Sequence, residues 1–222
     1  MERPRIRDYF QQDLDQNQAI TPKQRAILQA SLDLFAEKGF DQTSTSDIAQ
    51  RAGVAEGTVY RRYKTKAALR DAILAPIAAN IMPTLANDFS EDELHQHYPS
   101  LQAFVTAIYT DRVTFVQKNI KELKVVLEMA VFDTERRQQI LSRIAPQMVQ
   151  RMGNVLDQLK ADQLIVDWPN DLIIQTILAQ LFGYLARLML ELPGTDLIRE
   201  RTYLITVVTK ALTPSEDDPQ LD

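Results

Sequence analysis

Ile27, Ala30, Ser31, Leu34 and Phe35 recur at the three- and four-residue spacing of one helix face, which predicts a helix over residues 22–38. Both of its ends are marked. Thr21-Pro22-Lys23-Gln24 offers an N-cap threonine, a proline at the first helical position and a glutamine placed to complete a capping box. Gly39 suits a left-handed C-terminal closure, with Phe40 as the apolar residue that packs back on the last turn. A second capping box, Ser44-Thr45-Ser46-Asp47, precedes Ile48, Ala49 and Ala52, and Gly53 is placed to end that short helix. A third helix begins almost at once within Val54-Ala55-Glu56-Gly57-Thr58-Val59-Tyr60. Thr65 caps a fourth, expected over residues 66–80, with Pro76 bending it and Pro83 ending it.

Beyond it, residues 87–99 read as a polar, acidic loop before a helix that begins near Ser100. Further helices are expected over residues 120–132, over 134–160 with a break or kink at Pro146, over 171–192 and over 196–212. Apolar residues from Leu172 and Ile173 through Phe182 and Leu185 to Leu192 occupy nearly all sides of the 171–192 helix, so it must be buried on more than one face. Leu197, Tyr203, Leu204, Val207, Val208 and Ala211 give the last helix a narrower stripe. Together the two suit a dimer bundle, one stripe toward the subunit core and the other toward a partner. Residues 172–192 are long enough to span a bilayer at about 1.5 Å per residue. Gln175, Thr176, Gln180, Arg187 and Glu191 interrupt that run, so a buried helix explains it better than a membrane partner. The N-terminus has no apolar stretch of signal-peptide length, and a cytoplasmic protein is expected.

Composition narrows the chemistry. Six glycines and ten prolines in 222 residues leave few tight turns, which favours helices over a strand-rich sandwich or barrel. The absence of cysteine excludes a disulfide framework, a thiolate zinc site, an iron–sulfur cluster and a cysteine nucleophile. A net charge of −5, taken alone, argues against a nucleic-acid partner. Its distribution changes the picture: residues 21–70 carry nine basic and five acidic side chains, whereas residues 71–222 carry 13 basic and 21 acidic, a basic segment that reads as an ordinary solvated face unless a motif gives it a partner. The expected organisation is all-α: residues 1–20 a flexible N-terminal arm, 21–66 a small basic three-helix domain, 67–212 a larger helical domain, and 213–222 a disordered acidic tail.

Two short helices separated by a glycine-containing turn describe a helix-turn-helix, whose second helix enters the DNA major groove. The residue types there suit the task. Gly57 lets backbone approach a phosphate or base edge, Thr58 and Tyr60 supply hydroxyls, and Arg61 can pair bidentately with phosphate or guanine. Ser44, Thr45 and Ser46 stand at the start of the preceding helix, while Lys64, Lys66 and the amides capped by Thr65 form a candidate phosphate clamp.

The string Ile27-Leu28, Leu34-Phe35, Gly39-Phe40, Thr43, Asp47-Ile48-Ala49, Ala52-Gly53-Val54, Gly57-Thr58-Val59-Tyr60, Tyr63, Lys66 and Leu69 resembles the DNA-binding domain of the tetracycline-repressor (TetR) family of bacterial regulators. It does so over about fifty residues without a gap. The resemblance implies an all-helical homodimer of nine or so helices per subunit. Its first three helices bind half of a palindromic double-stranded DNA operator, its fourth links them to a regulatory domain, and its last two, near 171–192 and 196–212, build a four-helix dimer interface. It also implies a repressor released by a small-molecule effector, here unidentified. Two positions depart from the family pattern. Ala55 stands where serine often caps the recognition helix, and alanine cannot satisfy the orphan amides. Glu56 follows it, either favourable to the helix dipole or an acceptor for a cytosine amino group.

Other features carry competing readings. Tyr60 reads as a phosphate ligand and Tyr63 as a buried aromatic; Arg3, Arg5 and Arg7 are either a minor-groove arm or a frayed terminus. Phe104, Ile108, Phe115, Met129, Phe132, Met148, Met152 and Phe182 are candidate linings of an effector pocket, against plain core packing. His95 and His97 beside Glu91, Asp92 and Glu93 lie in a polar loop without the i, i+4 geometry of a metal site, so no metal is expected. No glycine-rich phosphate loop, nucleophile elbow or dinucleotide fingerprint appears, and neither an enzyme nor a cofactor is expected. The alternatives to a ligand-responsive repressor are a ligand-independent nucleoid or division factor on the same fold, and a helical interaction protein without specific DNA binding.

Overall fold

The computed structural model describes residues 4–215, apart from the side chains of residues 128–132 and 136. Among these residues every regular element is helical: α1 (Ile6–Gln16), α2 (Pro22–Lys38), α3 (Thr45–Ala52), α4 (Glu56–Arg62), α5 (Lys66–Pro76), a π turn (Ile77–Ile81), α6 (Met82–Glu93), α7 (Leu101–Phe132), α8 (Thr134–Ala161), α9 (Asn170–Met189) and α10 (Leu197–Leu212). The chain divides into two compact units, residues 1–85 with 119–143 and residues 86–118 with 144–222.

In the first unit both capping boxes close as their residue types dictate. The Thr21 amide donates to Gln24 Oε1 at 3.1 Å, and the Asp47 amide donates to Ser44 Oγ at 3.0 Å. Gly53, at φ 66°, takes the left-handed conformation that ends α3, and the Val54 amide reaches back to the Ala49 carbonyl at 3.0 Å. This turns α4 sharply away from α3. Ile27, Leu34, Phe35, Ile48, Val59 and Leu69 form the core beneath both helices.

Lys66 closes that domain. Its ammonium donates to the carbonyls of Phe40, Asp41 and Thr43 at 2.8, 3.2 and 3.2 Å, and it lies 4.4 Å from the centroid of the Phe40 ring. Phe40 in turn packs edge-on against Phe35, with centroids 5.2 Å apart. Three donors meet three acceptors.

Within the expected flexible arm, residues 6–16 form helix α1. Arg5 caps a helix whose Ile6, Phe10 and Leu14, spaced four apart, are all buried. The Ile6 amide, an orphan of the first turn, donates to the Asn119 side chain at 2.7 Å. Arg7 bridges Asp33 at 2.7 Å and the buried carboxylate of Glu122 at 3.7 Å, and Arg25 pairs with Asp15 at 3.0 Å. Neither a minor-groove arm nor a frayed end describes Arg5 and Arg7; Arg3 lies outside the described residues.

Pro83 does not end the fourth predicted helix. The turn over Ile77–Ile81 widens to a π turn, after which Pro83 stands in the first turn of α6. Lacking an N–H, Pro83 leaves the Ala79 carbonyl without its helical donor, and the Arg143 guanidinium supplies one at 2.6 Å. Helix α6 therefore continues to Glu93, and most of the expected loop over 87–99 is helical with Phe89 buried. The helices expected near Ser100 and over 120–132 are one uninterrupted α7, with neither glycine nor proline to break it. Helix α8 runs through Pro146.

In the second unit the Tyr109 hydroxyl, fully buried, donates to the Ile177 carbonyl of α9 at 2.7 Å, and burial raises its phenol well above the ordinary tyrosine range. The Val166 amide bonds the Leu212 carbonyl at 3.0 Å and ties down the end of α10. Around His95, Nδ1 lies 3.4 Å from Glu91, whose other oxygen takes Arg151 at 2.8 Å. Helix α9 was expected to be buried on more than one face. Only Ile173, Ile177 and Tyr184 are buried, while Leu172, Leu178 and Phe182 stand exposed. The acidic tail lies outside the described residues from 216 onward.

Two outcomes follow for stability. Phe10→Ala removes a buried ring and should destabilise the first unit by about 3–5 kcal/mol, read from chemical denaturation. Lys66→Met keeps the apolar stem but removes the donor shared by three carbonyls, of which that of Phe40 keeps only the Thr43 amide at 3.3 Å; it should cost about 1–3 kcal/mol and lower the melting temperature.

Candidate nucleic-acid interface

Helix α4 owes its exposure to its sequence: among Glu56, Gly57, Thr58, Val59, Tyr60, Arg61 and Arg62, only Val59 is buried. That single anchor seats the helix on the core. Tyr60 remains 48% exposed, and Gly57, Arg61 and Arg62 are exposed with it. A Cβ built on Gly57 would meet nothing within 4 Å, so no contact inside the chain requires glycine there.

Pairing of cations differs sharply between this surface and its surroundings. Elsewhere in the first unit Arg7, Arg25, Lys38 and Arg51 face carboxylates at 2.7–3.5 Å. Among the described residues no ion pair is recorded for Lys23, Arg61, Arg62 or Lys64. Four unneutralised cations beside an exposed helix create a local positive field despite the acidic total.

Three of these cations share a groove of about 310 Å³ lined by Thr21, Lys23, Gln24, Ile27, Thr58, Arg61 and Arg62. Lys23 and Arg62 are absent from the residues that motif reasoning selects. A signal was present: Lys23 lies in the first turn of α2, where a cation is unfavourable to the helix dipole unless an anion sits beside it.

The remaining candidates divide. Ser44 caps α3 with its oxygen, Ser46 is exposed, and Thr65 caps α5 by accepting the Ala68 amide at 3.0 Å. Lys64 is exposed, whereas Lys66, expected to clamp phosphate, is saturated by the three loop carbonyls and has no donor left for an outside anion. Thr45 Oγ1 lies 3.0 Å from Glu56 Oε1 and 2.9 Å from the Tyr60 hydroxyl, so the three side chains form one chain of hydrogen bonds across α3 and α4. The Tyr60 hydroxyl thus has Thr45 as a partner within the protein. Tyr63 is half-buried; burial raises its phenol, and a hydrogen bond with Gln24 opposes that shift.

The effector-pocket candidates separate less favourably. Phe104 and Ile108 are core residues, Phe104 edge-on to Tyr98 at 5.2 Å. Met152 is buried, Met148 and Phe115 are half-buried, and Phe115 lies 4.9 Å from the Arg112 guanidinium. Phe182 is 59% exposed. The side chains of Met129 and Phe132 lie outside the described residues.

Comparison with known proteins agrees with this surface. The model of the family described as bacterial regulatory proteins, tetR family, matches residues 27–73, from the core of α2 into α5. The transcriptional regulator YvkB of Bacillus subtilis is 35% identical over 77 residues, which span 33% of this chain and 41% of YvkB. The repressor BepR of Brucella suis is 24% identical over 88% of this chain and 94% of its own length. Among solved structures, the TetR-family regulator PfmR of Thermus thermophilus superposes with a TM-score of 0.59 at 17% identity, covering 83% of this chain and 97% of PfmR. Residues 27–73, which contain the helix-turn-helix, therefore match the DNA-binding segment of the tetR family of bacterial regulatory proteins.

Proposed function

We propose that this transcriptional regulator is a cytoplasmic repressor that binds a palindromic DNA operator as a homodimer and is released by a small-molecule effector. The observation that carries the DNA reading is the group of cations without carboxylate partners, Lys23, Arg61, Arg62 and Lys64, around exposed α4. Phosphates are the partners such a group fits, because half or more of protein–DNA hydrogen bonds go to the backbone. The open position of Gly57 supports close approach by a duplex.

The outer face of α9 supports dimerisation. Leu172, Gln175, Leu178, Ala179, Phe182 and Gly183 follow helical spacing and are exposed, and Tyr203 and Val207 of α10 are exposed too. The helix is long and apolar enough to cross a membrane, with a mean hydropathy of 1.5. Gln175 on that face is costly in lipid but readily accommodated between two protein helices, so a second copy is the better cover. A dimer places its recognition helices about 34–36 Å apart, one DNA turn, and an effector acts by favouring an arrangement with a different spacing.

Lys23→Ala and Arg61→Ala should each weaken binding on every sequence. Each should lower the slope of log affinity against log salt by about 2 per dimer, one phosphate per subunit, in titrations with DNA from beside the gene. Phe182→Asp should convert the dimer to monomer by light scattering and abolish operator binding with it. Binding that persists across a metabolite screen would remove the effector from this reading.

A further inference from the structure

Glu56 is the one anion on α4, in its first turn, and its hydrogen bond reaches beyond its own helix. Its Oε1 accepts from Thr45 Oγ1 at 3.0 Å, across the turn on α3. The Thr45 hydroxyl has one proton, and a carboxylate has none to give, so that proton points at Glu56. The Tyr60 hydroxyl lies 2.9 Å from the same Thr45 oxygen. Glu56 is exposed, and a carboxylate is an acceptor only, so its second oxygen is available to an outside donor.

We infer that Glu56, positioned by Thr45, reads a cytosine in each operator half-site through the N4 amino group. This rests on the DNA-binding reading above. Phosphates are acceptors and repel a carboxylate, so Glu56 is not placed for a backbone contact. In the major groove the donors are the amino groups of cytosine and adenine alone. Adenine carries the N7 acceptor beside its amino group on the same edge, which a carboxylate meets with repulsion. Cytosine presents its amino group beside a C–H. An anion held at this point also penalises sequences that offer no donor, so it sharpens discrimination while lowering general affinity. Thr45 acts through Glu56: its hydroxyl keeps one carboxylate oxygen occupied and the other aimed outward.

The test is selection of full-length protein on a randomised duplex pool at fixed salt. Wild type should enrich a palindrome in which one symmetric pair of positions prefers cytosine by about ten-fold over other bases. Glu56→Gln, which adds a donor, should move that position toward adenine, and Glu56→Ala should flatten it while the rest of the consensus stays. Thr45→Val should weaken the preference at that position alone, and Thr45→Ser should restore it, a pattern that loss of folding does not produce. An unchanged consensus in Glu56→Ala overturns the inference and leaves DNA binding standing. If wild type enriches no consensus, the DNA reading fails and this one with it.

Discussion

Three backbone carbonyls, those of Phe40, Asp41 and Thr43, converge on the Lys66 ammonium, and the placement of both DNA-facing helices depends on that convergence. The segment they belong to joins α2 to α3 and has no secondary structure of its own to satisfy them. Without a donor at that point the loop would have to open to water. With it, Ser44 is held where its oxygen can cap α3, and α3 in turn carries the Thr45 hydroxyl to Glu56 and Tyr60 on α4. A side chain that looks like a DNA ligand is therefore the closure of the domain.

Charge follows the same logic of placement. Carboxylates neutralise the cations of α1, α2 and α3 wherever these helices meet one another, as in Arg7 with Asp33 and Arg51 with Glu37. Near α4 no such pairing is recorded among the described residues, and the cations there stay available to an outside anion. The net charge of −5 is then no obstacle to DNA binding, because at physiological salt a field reaches about 8 Å and only the local charges act on a phosphate.

Local signals were legible where the residues that make a structure are neighbours in sequence. The caps Thr21, Ser44 and Thr65 and the left-handed Gly53 delimit α2, α3 and α5, since each acts on amides or carbonyls within a few residues of itself. Helix α1 was missed although Ile6, Phe10 and Leu14 have helical spacing, because it is otherwise polar and is capped by an arginine. Its stability comes from Asn119, Asp33 and Glu122, far away along the chain. Pro83 was read as a stop because the local rule is sound; the compensation, Arg143 on the Ala79 carbonyl, comes from sixty residues on.

The sequence by itself determined the helical class, the helix-turn-helix and its family, and the apolar surplus of α9. These rest on periodicity, capping and turn chemistry, all of which act over a single turn or two. Only the tertiary structure decided which polar side chains face outward. Lys66 is engaged within the protein, Lys23 and Arg62 join the cationic groove, and Thr45 lies within hydrogen-bond distance of both Glu56 and Tyr60. The reason is physical: a donor or acceptor goes to whichever partner folding brings within about 3 Å, and residue type alone does not say which partner that is.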